Sequence, residues 1–599
     1  MMCVISSLIV RPYESDQFGM ASRTPKSAFT LHHLLAELFP HGTGGDATIA
    51  RSSPRRWDAC PPWPADLFGI VAKFADMSGC YAEPGVILSR TPDERKQKKI
   101  WAKNAADLGM DWSEDGIVPA EVQDLWLQFV ADVAAPIHAA TSEFHAMKVA
   151  AMRLLAIADE AGAGFGFVPE TGTTDLSSFV FKSMLQNDSR QRTILRLPSS
   201  LTWQIDPDRL CVMPKSLTPS VGCTLRSLSL HLALLPGAGT VKPRWFIATT
   251  EQAVPGEAED AAGTSSQTDR MNILVVPFPF DLSPDCFTVA QTPDGPADGY
   301  FSLQPNWLSP GGRRVTRDEL TSLMADLICG AARQLGTIHG IILPETSLDQ
   351  SAAEDLVEDL ARIFTSMEIV VAGILSADGH RRRNQAILAR LGGNQVQRAA
   401  IQSKHHRWRL DGGQINRYQL ARFLDPKRNW WEKIDVDDRE LIFGLARNDT
   451  VVAALICEDL ARFDPVMPAL NAVGPNLVVA LLMDGPQLQQ RWPGRYATVL
   501  ADDPGSAVLS VTCLGMVKLS RLPGEEVRRV IGLWKDTRTG AKELLLPIDA
   551  HALALCIDIG HDTQTTMDLR QDDNTTVSLS LAEVWPVSLQ HPPDWLAKP

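Results

Sequence analysis

Three polar side chains are of types that can take part in attack on a carbonyl-like carbon, and two of them sit at the end of an apolar run. The first is Glu345, which follows Ile341–Ile342–Leu343–Pro344. A carboxylate at the carboxyl end of a buried strand lies where α/β sheets place ligands, and it can act as a general base. The plainer alternative is a cap for the next helix, a role that Ser347 or Asp349 could also fill. The second is Lys404, in Gln402–Ser403–Lys404–His405–His406. From His380 to Leu410 there are eight Lys or Arg residues and no acid. Positive crowding and desolvation both disfavour an ammonium, so such a lysine can donate a proton or hold an oxyanion. A solvated basic hairpin would carry the same residues. The third is Cys457, in Leu455–Ile456–Cys457–Glu458–Asp459–Leu460. Here an apolar strand runs into an expected helix, whose free N–H groups and positive dipole end would favour a thiolate. The plainer alternative is a buried structural thiol. The paired acids Glu458–Asp459 set this cysteine apart from the other nine.

The elements that must hold these groups are short and regular. Strands are expected at Met271–Pro277, His339–Leu343, Glu368–Leu375, Val451–Ile456 and Pro475–Leu482, with helices at Thr316–Leu335 and Ser351–Thr365. Buried strands alternating with helices indicate an α/β sheet. Before them, Pro64–Ser78, Ala120–Ala134 and Ser142–Ala158 have helical spacing, and one more helix is expected near Ala28–Phe39. Residues 195–250 carry short apolar runs that suit either a small sheet or more helix. The expected organisation is a flexible segment 1–55, a mainly helical or α+β domain 56–250, an acidic linker 251–269 and an α/β domain 270–599. The stretch Cys286–Arg313 reads as an insertion at the substrate mouth.

In their order, the three motifs resemble the nitrilase, or carbon–nitrogen hydrolase, superfamily. A Glu follows a strand ending Leu-Pro, a Lys comes 59 residues later, and Cys-Glu-Asp follows after 53 more. The stretch Arg491–Met516 resembles the helix and strand that come after the family's cysteine. The resemblance covers roughly residues 270–545. It implies an αββα sandwich, commonly a homodimer or higher homo-oligomer, that uses no cofactor and no metal. It also implies Glu345 as general base, Cys457 as nucleophile, and Lys404 with the backbone N–H of Glu458 around the oxyanion. Many members carry a second Glu shortly after the Lys. Position 412 here is Gly, Gln414 is the nearest polar candidate for that support, and Asp411, Asp425 and Glu432 look badly spaced.

Bulk properties fit such an enzyme. The 599 residues are 45% hydrophobic and 21% charged, with a net charge of -14. That charge argues against nucleic acid as a partner. The start lacks a charged n-region and cleavage site, no run approaches a membrane span, and no cysteines form a CxxC pair. A reducing cytoplasm is therefore expected. His138, Glu143 and His145 lack metal-ligand spacing, and no P-loop, GxGxxG or GxSxG occurs. The expected function is cysteine-dependent hydrolysis of a non-peptide C–N bond in a small amide or nitrile, through a thioester-type intermediate. The alternative is a nitrilase-like binding or signalling module of a multi-domain protein, such as a bacterial defence protein, in which residues 1–250 meet a protein partner.

Overall fold

The computed structural model describes residues 28–43, 57–138, 144–167, 199–219, 222–239, 241–245, 270–291, 298–447, 450–521, 524 and 526–596. The acidic stretch 251–269, and all of the expected flexible segment except 28–43, lie outside the described residues. The N-terminal part contains α1 (Leu31–Leu38), α2 (Pro64–Ser78), α3 (Pro92–Asp115), α4 (Ala120–Phe129) and α5 (His145–Glu160). These helices share a core built around Phe74, Trp112, Trp126 and Phe129. Helix α3 has no counterpart in the sequence expectations. Over 24 residues it buries only Ala102, Ala105, Gly109 and Trp112, too few large apolar groups to make a visible stripe. Strands β1 (Cys211–Pro214) and β2 (Leu232–Leu235) form a small antiparallel pair, which settles the open choice for that region in favour of sheet.

After the acidic stretch, two seven-stranded sheets stack face to face. The first runs β10 (Gln395–Ser403), β9 (Arg381–Gly392), β8 (Ile369–Asp378), β7 (Gly340–Asp349), β4 (Arg270–Val275), β19 (Ala552–Thr565) and β20 (Gln571–Val587). The second runs β18 (Gly540–Leu545), β17 (Val530–Asp536), β16 (Ala507–Thr512), β15 (Leu477–Leu482), β14 (Val451–Ile456), β13 (Glu440–Leu445) and β3 (Lys242–Trp245). Helices α6 (Arg317–Leu335) and α7 (Gln350–Ile363) cover the first sheet. Helices α9 (Met467–Val473) and α10 (Trp492–Asp502) lie on the outer side of the second. The fold is thus an αββα sandwich.

Strand β14 shows why its residues are apolar without alternation. Val452, Ala454 and Ile456 face the core between the sheets, while Val451, Ala453 and Leu455 face the helix layer. Both faces are buried, so both must be apolar. A third, four-stranded sheet stands apart: β11 (Arg409–Leu410), β12 (Trp430–Glu432), β6 (Gly299–Leu303) and β5 (Phe287–Gln291). With α8 (Gly412–Arg417) it shares an aromatic cluster of Phe287, Phe301, Trp408, Tyr418 and Trp430. Met483 and Cys513, at the ends of β15 and β16, belong to the same cluster. The sheet therefore caps the carboxyl ends of the second sheet's strands. Among the described residues, no helix is long and apolar enough to cross a membrane.

Among the links that join the N-terminal part to the sandwich, two span distant parts of the sequence with a strand pairing and a buried ion cluster. Strand β3 precedes the acidic stretch, yet pairs in parallel with β13. The turn between β19 and β20 also carries Arg570, which is fully buried against the N-terminal part. Its guanidinium meets Asp159 at 2.9 Å, Glu160 at 2.7 Å and Asp568 at 2.9 Å, and also donates to the Leu228 carbonyl. Asp159 in turn accepts the backbone N–H groups of Leu230, His231 and Leu232. Removing the cation would strand buried carboxylates, which typically costs about 3–5 kcal/mol. Arg570→Met should therefore lower the urea midpoint strongly at pH 7. An unchanged midpoint would show that this junction contributes nothing.

Candidate active site

Glu345 lies within β7, where the pairing with β8 is interrupted between Leu343 and Leu348. The next residue, Thr346, takes φ 55°, a conformation rare for a side chain branched at Cβ. Gly373 on β8 makes room for this irregular backbone. A Cβ there would stand 2.3 Å from the Pro344 carbonyl oxygen and 2.5 Å from the Glu345 Cα. Ser347 donates its hydroxyl to the carbonyls of Phe278 and Pro344, at 2.8 and 2.6 Å. The loop that presents Glu345 is therefore held from several sides.

Lys404 follows β10 and is wholly buried. Its Nζ donates to Glu345 Oε1 at 2.8 Å and to Glu432 Oε2 at 2.8 Å. Burial alone would depress this lysine, but the two carboxylates outweigh it and hold the ammonium well above its ordinary range. This corrects the expectation that a basic crowd would disfavour the charge. The surrounding arginines turn elsewhere: Arg381 toward Asp437, and Arg390 to the Leu445 carbonyl. Gln402, two residues earlier, inserts its amide between β14 and β13, donating to Ala454 O at 3.0 Å and accepting from Ile442 N at 2.9 Å. That wedge fixes the end of β10 against the second sheet.

Cys457 begins a five-residue 3-10 turn, Cys457–Ala461, immediately after β14. Its φ is 48°, a strained value for a non-glycine residue of the kind that collects at functional sites. The side chain is buried, and burial pushes the thiol well above its ordinary range. Glu345 raises it further, while Lys404 pulls it down. The expected helix N-terminus is only this short turn, and the expected ready thiolate is absent. Desolvation wins over any terminal dipole, so deprotonation requires a neighbouring base. The Glu458 carboxylate turns to Arg462 at 3.0 Å, which leaves only its backbone near the cysteine.

The acid after it has a different task. Asp459 is fully buried and accepts the His405 backbone N–H at 3.1 Å on both oxygens, and meets His406 Nδ1 at 2.9 Å. It ties the lysine loop to the cysteine turn. Asp484, just past β15, accepts from the Tyr418 hydroxyl at 2.6 Å, Arg491 at 2.8 Å and Trp492 Nε1 at 3.1 Å. Its charge also acts on the Cys457 thiol. Sequence reasoning missed Asp484, although an acid after the apolar run Leu477–Leu482 is the same signal that marked Glu345.

The supporting acid also lies elsewhere than expected. Gln414 caps α8 with Asp411 and takes no part in the cluster. Glu432, set aside for its spacing, is the second carboxylate on Lys404. The chain between them makes β11, α8 and β12, and this detour is what hid the residue. The cap sheet thus supplies one member of the site, the first sheet two, and the second sheet the thiol. Glu345 carries a net upward shift because burial and Glu432 together outweigh Lys404. Its Oε2 is buried and has no hydrogen-bond partner among the described residues.

Comparisons with known proteins enter beside this geometry. No protein-family model matches the chain, and no curated protein matches it. Over about half its length the chain is similar to solved structures of the nitrilase superfamily. A branch 10 member from Saccharomyces cerevisiae is 13% identical, with a TM-score of 0.26, over 47% of this chain and 87% of that one. A carbon–nitrogen hydrolase from Helicobacter pylori is 11% identical, with a TM-score of 0.28, over 48% and 89%. A CN-hydrolase superfamily protein from Xanthomonas campestris is 14% identical, with a TM-score of 0.25, over 41% and 76%. At such values the chemistry must be argued from the site's own geometry.

Gly373→Ala offers a direct check on that geometry. The added methyl should shift Glu345 and slow labelling of Cys457 by iodoacetamide by on the order of 100-fold. A labelling rate equal to wild type would show that the close approach is immaterial.

Proposed function

We propose that this chain hydrolyses a non-peptide carbon–nitrogen bond in a small amide or nitrile, with Cys457 as nucleophile, Glu345 as base and Lys404 as oxyanion partner. The observation that carries this reading is the buried Glu345–Lys404–Glu432 cluster beside a strained, desolvated thiol. The unpartnered Oε2 of Glu345 is the acceptor for the Cys457 proton. The resulting thiolate attacks the amide carbon, and the carbonyl π electrons move to oxygen. Lys404 has three N–H donors, two of which serve Glu345 and Glu432, so the third meets the oxyanion. The backbone N–H of Glu458 is the second donor. Collapse expels the amine, which takes the proton back from Glu345 and leaves a thioester. Glu345 then takes a proton from water, hydroxide adds to the thioester, and the thiolate leaves and is reprotonated. The acid product is released. Atoms balance with water as the sole co-reactant.

The alternative, a binding or signalling module without turnover, rests on the joining of residues 1–250 to this fold; a second glutamate that looked missing added mild support, and Glu432 on Lys404 takes that part away. The roles of residues 1–250, of any protein partner and of a homo-oligomer stay part of the proposal.

The test uses a thiol-reactive amide or nitrile probe on the full chain. Wild type should be labelled and Cys457→Ala should not; equal labelling of both would end the nucleophile assignment. Glu345 must be ionised to accept a proton, and burial raises it above the usual glutamate range. The labelling rate should therefore fall as pH drops, starting at a higher pH than an exposed glutamate would set. Glu345→Gln should be slow at every pH.

A further inference from the structure

Asn384, on β9, is buried among the charged groups of the site. It bonds to both carboxylates through its side chain and to Lys404 through the main chain. Its side-chain Nδ2 donates one N–H to Glu345 Oε1 at 2.7 Å and the other to Glu432 Oε1 at 2.7 Å. Its backbone carbonyl accepts the Lys404 N–H at 2.8 Å. The orientation of the amide is forced, because a flipped group would set its oxygen against two carboxylate oxygens. Asn384 Oδ1 has no partner among the described residues, so the site uses the two N–H groups.

The charge balance gives these two bonds their importance. Two carboxylates and one ammonium leave a net charge of about -1 in a space closed to solvent. One carboxylate is then under pressure to take up a proton, and a protonated Glu345 cannot act as a base. Neutral donors relieve that pressure without adding a competing cation. They also occupy Oε1 of Glu345, together with Lys404, and so leave Oε2 as the free face.

We propose that Asn384 is a positioning residue that keeps Glu345 ionised and turns its Oε2 toward Cys457. The proposal rests on the reading of Glu345 as the base. It predicts a pH-dependent defect rather than a uniform one. Asn384→Leu keeps the bulk and loses both donors, so more of Glu345 stays protonated at low pH. Asn384→Ser keeps a single short donor and should fall between Leu and wild type.

The experiment measures the rate of Cys457 alkylation by iodoacetamide from about pH 5.5 to 9 in the full chain, with Cys457→Ala as background. Thermal unfolding of each variant confirms that it is folded. Asn384→Leu should be slower than wild type at the acid end of this range, by up to about tenfold for a shift of one pKa unit, and should approach wild type near pH 9. If Asn384→Leu and Asn384→Ser both keep the wild-type profile, or slow equally at every pH, the proposal is overturned. If Glu345→Gln alkylates like wild type, the base assignment itself fails. The two failures are thereby told apart. Should Asn384→Leu not fold, the Asn384→Ser profile decides alone: an acid-side defect supports the proposal and a flat ratio overturns it.

Discussion

The ammonium of Lys404, wholly buried and bonded at 2.8 Å to each of two carboxylates, is the interaction on which the rest of the site depends. A lone charge in such a place is too costly to keep, so each member requires the others. Lys404 needs Glu345 and Glu432. The two carboxylates, in excess by one, need the Asn384 donors. The Cys457 thiol, raised by burial and by Glu345, is pulled down by the Lys404 charge. The cluster therefore behaves as one charged unit, and its preorganisation in a water-poor space is what gives each charge a strong effect on developing charge.

Three sheets that share no strands converge to build this unit. The first sheet contributes Glu345, Asn384 and, at the end of β10, Lys404. The second contributes Cys457. The cap sheet contributes Glu432, and its aromatic cluster closes over the strand ends. Cross-links keep the parts in register: Asp459 from the cysteine turn to the lysine loop, and Gln402 from the first sheet into the second. Each link is a buried hydrogen bond that would be expensive to leave unmade.

Much of this was readable in the residues alone. Strand β14 was expected at Val451–Ile456 and lies there, because a strand buried on both faces is apolar without interruption. Helix α2 likewise spans the expected Pro64–Ser78, with proline at its start. The carboxylate and the thiol were singled out because each ends an apolar run, and the lysine because it stands in a basic run without acids. Glu432 was missed because the cap sheet stretches the sequence between it and Lys404. Asn384 was missed because a single amide in a basic strand has no local signature. The charge states were misread for a related reason. Arginines close to Lys404 in sequence bond elsewhere, and the carboxylates that act on Lys404 come from other strands.

One feature of the first sheet bears on how the molecule is made. Strand β4 is an interior strand, paired with β7 on one side and β19 on the other. Its partner in β19 is about 280 residues downstream, with Leu553 set against Val275. The sheet that carries Glu345 thus stays open on one flank until nearly all the described chain has been synthesised. Such distant pairing is slow to close, because the entropy of ordering the intervening chain is lost before the contact is gained. A partly made chain would then hold Glu345 on a sheet with one unpaired edge, and the sheet would close only with the last strands.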